Sequence, residues 1–397
     1  MSRIAELIEE LCPNGVVHLS MGATGTFTRG SGIQKKDFLE QGFPAIHYGQ
    51  IFTRYGLWAS ETYIFVDEAV AGKSKLAQPG DVVIATTSEN DEDLAKAVAW
   101  IGNSPVAVSS DAMIYSPENL NPKFVSYFLN STDFQKQKEK FITGTKVRRI
   151  SSQNFSKIKI PVPPLEIQEE IVRILDRFTL LEAELEAELE ARRKQYAFYR
   201  DSLLNFENRG GQDDVPWKCL ADISFIGTGS RNTNQATSEG KYPFYVRSQT
   251  PLAIDFFDFD EKAIITAGDG VGVGKVFHYQ DGKYALHQRA YRIVIQDPSV
   301  EPKFAFYYIQ NNFKRYLEKT AVHASVTSLR KPMFEKYQIP VPSVGDQQRI
   351  VKILDKFDDL VNDISSGLPA EIAARRKQYE HYRDKLLTFK ELQPEAA

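Results

Sequence analysis

The sequence predicts an α+β protein: two pseudo-symmetric globular domains separated by two long helices, with the helices forming an antiparallel coiled-coil pair. Three observations carry that prediction. Two blocks of sequence occur twice within the 397 residues, the segments before them are rich in short β-like runs, and residues 165–207 contain neither Pro nor Gly. A repeat of such long period marks a duplication of whole domains rather than a solenoid of short units.

The first block, FSKIKIPVPPLEIQEEIVRILDRF (residues 155–178), returns as FEKYQIPVPSVGDQQRIVKILDKF (334–357). The second, ARRKQYAFYRDSLLNF (191–206), returns as ARRKQYEHYRDKLLTF (374–389), with 12 of 16 positions identical. The offsets are 179 and 183, so four residues have been added between the blocks in the second copy. Each first block opens with an apolar strand-like run (Ile158, Ile160, Val162; Tyr337, Ile339, Val341). Prolines at 161, 163 and 164, or at 340 and 342, are expected to end sheet pairing there and to suit a helix entrance. Ser343 followed by Asp346 reads as an N-terminal capping pair.

As one helix, residues 165–207 would span roughly 64 Å, more than one globular core needs. Its apolar positions Phe178, Leu181, Leu185, Leu189, Tyr196, Tyr199, Leu203 and Phe206 step by threes and fours apart from one gap of seven. They are expected to meet Phe357, Leu360, Ile364, Tyr379, Tyr382, Leu386 and Phe389 along a coiled-coil seam. Gly367 and Pro369 are expected to interrupt the second helix across residues 365–369. Two plain core helices are the alternative, but mutual packing alone leaves the repeated Arg192, Arg193, Lys194, Gln195, Arg200 and Asp201 unexplained. Residues 181–192 repeat every four (LEAE, LEAE, LEAR), close to one helical turn, so each added unit lengthens the helix by about 6 Å and turns it by about 40°. The five glutamates there read as a solvated face.

Residues 1–156 and 208–335 match only faintly. Phe43-Pro44-Ala45-Ile46 aligns with Tyr242-Pro243-Phe244-Tyr245, Val82-Val83-Ile84-Ala85 with Ala263-Ile264-Ile265-Thr266, and Asn121-Pro122-Lys123-Phe124 with Glu301-Pro302-Lys303-Phe304. Short β-rich runs bounded by Gly, Asn, Asp and Pro, then a late helix, predict an α+β domain around a twisted sheet in each. The expected division is 1–156, 157–207, 208–335 and 336–397.

Composition narrows the function. Hydrophobic residues make up 42% and charged residues 25%, as in a globular protein. No run of about 18 apolar residues is present to span a membrane, and the first helix-like stretch (Ile4, Leu7, Ile8, Leu11) carries Glu6, Glu9 and Glu10, unlike a secretion signal. Cys12 and Cys219 alone cannot build a zinc site or a disulfide framework, which fits a reducing cytoplasm. The net charge of −3 divides as −1 over residues 1–157, −5 over 165–207 and +2 over 208–335, with 336–397 balanced and Lys159 adding +1. A chain gripping DNA by bulk charge would be strongly basic, so any nucleic-acid contact must use local clusters or basic partners.

Three strings suggest catalysis and fall short. Phe225-Ile226-Gly227-Thr228-Gly229 matches the F-x-G-x-G loop that cradles S-adenosylmethionine in DNA methyltransferases, and Asn121-Pro122-Lys123-Phe124 lacks the second proline of their catalytic N-P-P-F. A strand end and a helix start explain them better. Residues 268–275 resemble a phosphate loop, yet Asp269 stands where Gly is needed and Val276 replaces the magnesium-binding hydroxyl, so a turn at Asp269-Gly270 is expected. The six histidines are scattered, and no metal site is expected.

Basic residues gather near the ends of the two domains. Lys146, Arg148 and Arg149 precede the first repeated block, and Arg330 and Lys331 precede the second. Arg29, Lys35, Lys36, Arg231 and Arg247 stand in polar loops. Because Arg and Lys contact phosphates and guanine edges, these ten are the candidate DNA-binding residues.

The duplicated IPVPP/IPVPS-x-x-x-Q-x-x-IV-x-ILD block, the four-residue repeat and the paired ARRKQY…YRD…LL blocks resemble the specificity subunit of type I restriction–modification systems. The resemblance covers the whole chain and is strongest in the helices. It implies two target recognition domains, each reading one half of a split, asymmetric site in double-stranded DNA. It further implies helices that hold the domains apart and dock two methyltransferase subunits, with Arg192, Arg193, Arg375 and Arg376 as candidate docking residues. No cofactor is expected on this chain: S-adenosylmethionine belongs to the methyltransferase subunits, and ATP with magnesium to restriction subunits, two of which complete the restriction complex that the resemblance implies. The chain itself is then non-catalytic. Two competing readings are an autonomous adenine methyltransferase and a purely structural coiled-coil protein.

Overall fold

The computed structural model describes residues 3–206, 215–320, 328–363 and 365–392. The chain forms two compact units, Met1–Leu185 with Ile372–Ala397, and Glu186–Glu371. The division falls inside the long helix Leu165–Leu203 and just inside the last helix, Leu368–Leu387. Each unit thus combines one head with one half of the long helix and one distal helical segment.

In the first unit a five-stranded sheet runs Gly25–Arg29, Ala112–Pro117, Val82–Ala85, Ala97–Trp100, Trp58–Ala59, and a four-stranded sheet runs Ile64–Val66, Phe43–Ile46, Val106–Val108, Lys75–Ala77. In the second unit one six-stranded sheet runs Ser224–Thr228, Ala290–Ile295, Phe259–Ala267, Phe277–Leu286, Tyr242–Tyr245, Leu252–Ile254. The topologies correspond. Phe43–Ile46 pairs in parallel with Val106–Val108 as Tyr242–Tyr245 does with Phe277–Leu286, with Ala45 opposite Ala107 and Phe244 opposite Ala285. The second head keeps as single long strands what the first divides. The turn at Gln78-Pro79-Gly80-Asp81, with Gly80 at φ +97° and the Asp81 carboxylate accepting the Gln78 N–H at 2.7 Å, splits the first head's strand in two. The late helix after each proline is present as well, as Pro122–Leu129 and Pro302–Thr320.

One alignment is corrected by a residue. Thr86 carbonyl accepts from Ile150 N–H as Gly268 carbonyl does from Leu329 N–H, so Ala85 corresponds to Ala267, not Thr266. Such a slip exchanges the faces of a strand, and the all-apolar run of a doubly buried strand carries no alternation to fix it.

The prolines of the first block do not end the pairing. Lys159–Pro161 pairs antiparallel with His18–Ser20, and Gln338–Pro340 with Trp217–Cys219. Val162 N–H still donates to Val17 carbonyl and Val341 N–H to Pro216 carbonyl. Alternate residues of a strand turn their N–H groups to opposite sides, so Pro161 and Pro340 sit where a two-stranded ribbon uses no donor. Ser343 caps its helix as expected, accepting the Asp346 N–H at 3.2 Å.

The repeated Gln and Asp of the first block tie each helix to its own head. Gln168 is fully buried; its amide donates to Pro163 carbonyl (2.8 Å) and Asn119 carbonyl (3.3 Å) and accepts from Asn121 N–H (2.8 Å). Gln347 does the same to Pro342, Ser299 and Glu301, each at 2.8 Å. Asp176 accepts from Tyr127 hydroxyl (2.7 Å) and Lys123 Nζ (2.8 Å), and Asp355 from Tyr307 hydroxyl (2.6 Å) and Lys303 Nζ (2.8 Å).

The helical seams pair across copies. In the first unit Phe178 stacks on Tyr382 at 5.6 Å and contacts Tyr379 at 6.4 Å, while Glu182 accepts from Arg376. Numbers rise along one helix as they fall along the other, so the two run antiparallel. In the second unit Phe357 stacks on Tyr196 at 6.0 Å and Tyr199 at 5.6 Å. Each first block thus packs on the second block of the other copy. The long helix ends at Leu203 rather than at 207, which lies outside the described residues, as does Ile364. Leu204 is the buried residue where Leu203 was expected. The distal segment breaks, though two residues earlier than expected: one helix ends at Asn362 and the next starts at Leu368, so Pro369 sits in the first turn of a helix, where its missing N–H costs nothing. Glu182, paired with Arg376, is more than part of a solvated face.

Candidate nucleic-acid interface

In each head the strand ends and connecting loops that carry several of the predicted basic residues come together at one rim. In the first head the 109–111 turn is the hub. Ser31 N–H donates to Val108 carbonyl, Tyr48 N–H to Ser109 hydroxyl, Thr86 N–H to Asp111 carbonyl, and Arg29 Nε to Ser110 carbonyl at 3.3 Å. Arg148–Arg149 pairs with Thr87–Ser88, which brings Arg148 and Arg149 to the same rim. Lys35 and Lys36 form an exposed single turn, Lys35–Asp37, and Lys146 stands exposed in the loop before Arg148.

Arg148 is engaged by Asp91 at 2.8 Å, in the acid-rich segment 89–93. Behind that segment Lys138 is buried and donates to Leu94 carbonyl (2.7 Å) and Glu92 carbonyl (3.2 Å). Burial, only partly opposed by Asp91, Asp93, Glu139 and Glu92, pulls its ammonium down to about 8. The folded head therefore releases this proton near pH 8, while the unfolded chain holds it to about 10.5. Between those values the unfolded state binds more protons, so this residue's contribution to stability rises with pH. Relative to Lys138→Met, the natural chain is expected to gain roughly 2–3 kcal/mol between pH 7.5 and 10. Urea midpoints of both proteins across that range check it; parallel curves would show that the ammonium stays charged.

In the second head Leu286 and His287 form the hub. Arg231 N–H donates to Leu286 carbonyl, Gln288 N–H to Arg231 carbonyl, and His287 N–H to Tyr245 carbonyl. Arg231 lies over Phe256 at 4.4 Å and forms an ion pair with Asp258. Arg247 and Arg289 share Asp269, Nη1 to Oδ1 at 2.8 Å and Nη1 to Oδ2 at 3.0 Å. Although burial works against it, these two hydrogen bonds hold the Asp269 carboxyl below its ordinary range. Burial first, then the Arg247 and Arg289 charges, lower the His287 imidazole, whose Nδ1 accepts the Arg289 N–H at 3.0 Å. Arg330 is the N-cap residue of the helix Lys331–Glu335 and follows Ser328 and Leu329, which pair with Asp269 and Gly268, while Lys331 faces Glu335 at 3.7 Å.

Sequence reasoning missed Arg289, Asp269, Gln288 and Asn232 as rim residues. Gln288 donates to the Asn232 side chain at 2.7 Å. The signal for all four is their place at strand ends that meet only when the sheet forms. Of the docking candidates, Arg192 contacts Glu188 (2.7 Å) and Gln195 (2.8 Å), Arg193 is exposed, Arg375 donates to Gln378 (3.1 Å), and Arg376 pairs with Glu182.

The strings that hinted at catalysis have structural explanations. Ser224–Thr228 is a sheet strand, and a Cβ on Gly229 would lie 1.9 Å from the Leu286 carbonyl oxygen, so its glycine serves close backbone approach. Asn121 caps the helix Pro122–Leu129. Gly270, at φ +80°, follows Asp269 at the expected turn. Among the described residues no cluster of three His, Cys, Asp or Glu is placed to hold a metal ion, and no helix is long and apolar enough to cross a membrane.

Two like-built α+β heads in one chain, each presenting Arg-bearing loops at a corresponding rim, define a tandem two-domain protein with a repeated basic rim. The model of the type I restriction modification DNA specificity domain matches residues 26–191 and again 213–374, and the chain belongs to that family. The specificity subunit of the type I restriction enzyme EcoR124I/EcoR124II of Escherichia coli is 34% identical over 331 residues, covering 75% of this chain and 79% of its own. The type I S subunit of M. genitalium, a crystal structure, superposes with a TM-score of 0.59 at 14% identity, covering 98% of this chain and 99% of that one, which shows the shared fold. A chain from a structural study of type I R-M complex assembly and conformational transition gives 0.58 at 16% identity, covering 95% and 98%.

Proposed function

We propose that the chain is the sequence-reading, non-catalytic subunit of a type I restriction–modification complex. Each head reads one half of a bipartite, asymmetric DNA site, while the helices set the spacing and dock two adenine-methyltransferase subunits and, through them, restriction subunits. S-adenosylmethionine belongs to the methyltransferase subunits and ATP with magnesium to the restriction subunits, all within the cytoplasm. The observation that carries this reading is the recurrence of one rim geometry on two heads of different side-chain content. A single polypeptide with two unlike readers of common topology suits two unlike half-sites. Near-neutral heads leave the bulk phosphate attraction to partners.

Methylation mapping in a host supplying this chain and its methyltransferase tests the reading: a two-part adenine-methylated motif supports it, and methyl transfer by the isolated chain overturns it. Docking is tested by reversing the charge of Arg192, Arg193, Arg375 and Arg376 together. The variant is expected to lose at least about tenfold in affinity for the methyltransferase subunits, since truncating charged contacts at interfaces costs about 2 kcal/mol or more. Undiminished co-purification would remove these residues from the interface.

A further inference from the structure

We propose that Arg247 and Arg289 form the base-reading element of the second head, with Asp269 as the residue that positions both. This inference rests on the DNA-recognition reading and adds the residues and the base that they read. Asp269 binds each guanidinium through a single Nη1, so the Nε and Nη2 edge of each remains the fork that can meet a base. A fork held in place before binding loses less conformational freedom on contact, and guanine O6 and N7 are the acceptors that match it. Both arginines are half-exposed, at 45% and 60%.

Three neighbouring features fit a groove-facing element. An open depression lined by Val246, Arg247, Ser248, Asp269 and Val271 lies beside the pair. Val271, between Gly270 and Gly272, is 95% exposed, the most exposed of the large apolar side chains among the described residues. An apolar tip of this kind suits a thymine methyl in the major groove. Asn232 and Gln288, joined at 2.7 Å, add the amide groups that pair with adenine edges. His287, buried beneath them, fixes the Arg289 backbone through its Nδ1.

The half-site read by residues 208–335 therefore contains guanine. The test is methylation mapping with the chain and its methyltransferase in the natural form and as Arg289→Ala, Arg247→Ala, Asp269→Asn and Asp269→Glu. The natural chain is expected to give a two-part motif with guanine in one half. Each arginine variant is expected to lose about 10- to 100-fold of the preference at a guanine of that half, with the other half unchanged. Asp269→Asn relaxes the same positions, and Asp269→Glu restores them, which a merely structural carboxylate would not do. Where a variant with an unaltered Tm methylates too weakly to map, competition binding of the complex to duplexes differing at one base gives the preference. Unchanged preference, or equal weakening on every duplex, would overturn this proposal while leaving two-part recognition standing. Absence of any two-part motif with the natural chain would overturn the reading beneath it.

Discussion

Deleting residues 185–188 is expected to change the length of the non-specific spacer between the two recognised half-sites and to leave the bases of both halves unaltered. The deletion removes one unit of the four-residue repeat, so the helix stays continuous through Leu165–Leu203 with its remaining residues in register. The part of the helix beyond residue 188 is drawn in by about 6 Å and turned by about 40°. At 3.4 Å per base pair, the spacer changes by at most about two base pairs. The heads keep their own cores and rims, because neither draws its rim residues from this segment. Methylome sequencing of the variant reads both quantities in one experiment. A changed half-site, or a spacer that does not move, would contradict the helix as a ruler.

The second large effect is expected from Gln168→Ala. Gln168 satisfies three backbone groups of Pro163, Asn119 and Asn121, and Asn119 is held at φ +58°, where a non-glycine residue is strained. Removing the amide leaves those groups without partners at the joint between helix and head. Each buried unsatisfied group costs about 1–3 kcal/mol, and the total expected is about 3–5 kcal/mol. Hydrogen exchange of the full chain should show the loss in the first unit, around residues 119–129 and 163–172, with the second unit unaffected. Gln347→Ala should give the mirror result around Glu301 and Pro342. A loss below about 1 kcal/mol would mean that water replaces the amide at no great cost.

The two residues also show what repetition conveys and what it conceals. Gln168 and Gln347 stood in the repeated pattern, and their recurrence marked them, but polar repetition has several causes. The same pattern gave Arg192 and Arg375 equal prominence, and those side chains contact neighbours on their own helices. Only burial separates the cases: an amide removed from water must find partners, whereas an exposed guanidinium has water as an alternative.

The rims were half-legible. Arg148, Arg149, Arg231 and Arg247 could be named because basic residues in polar loops are conspicuous in sequence. Arg289 could not, since it follows a long strand and its partner Asp269 is 20 residues away. Likewise the buried runs 82–85, all apolar, and 264–267, apolar but for Thr266, announced strands without announcing their register.

The sequence by itself determined the duplication, the two helix-forming blocks, the cap at Ser343 and the break before Leu368, because periodicity, proline geometry and capping act within a few residues. The antiparallel pairing of the two copies was also expected, but only the tertiary structure decided the individual partners, Phe178 with Tyr379 and Tyr382 and Phe357 with Tyr196 and Tyr199, and that Arg247 and Arg289 share one carboxylate. The reason is physical: near-identical blocks offer chemically equivalent surfaces, so the choice between them depends on chain connectivity and burial, which no local pattern encodes.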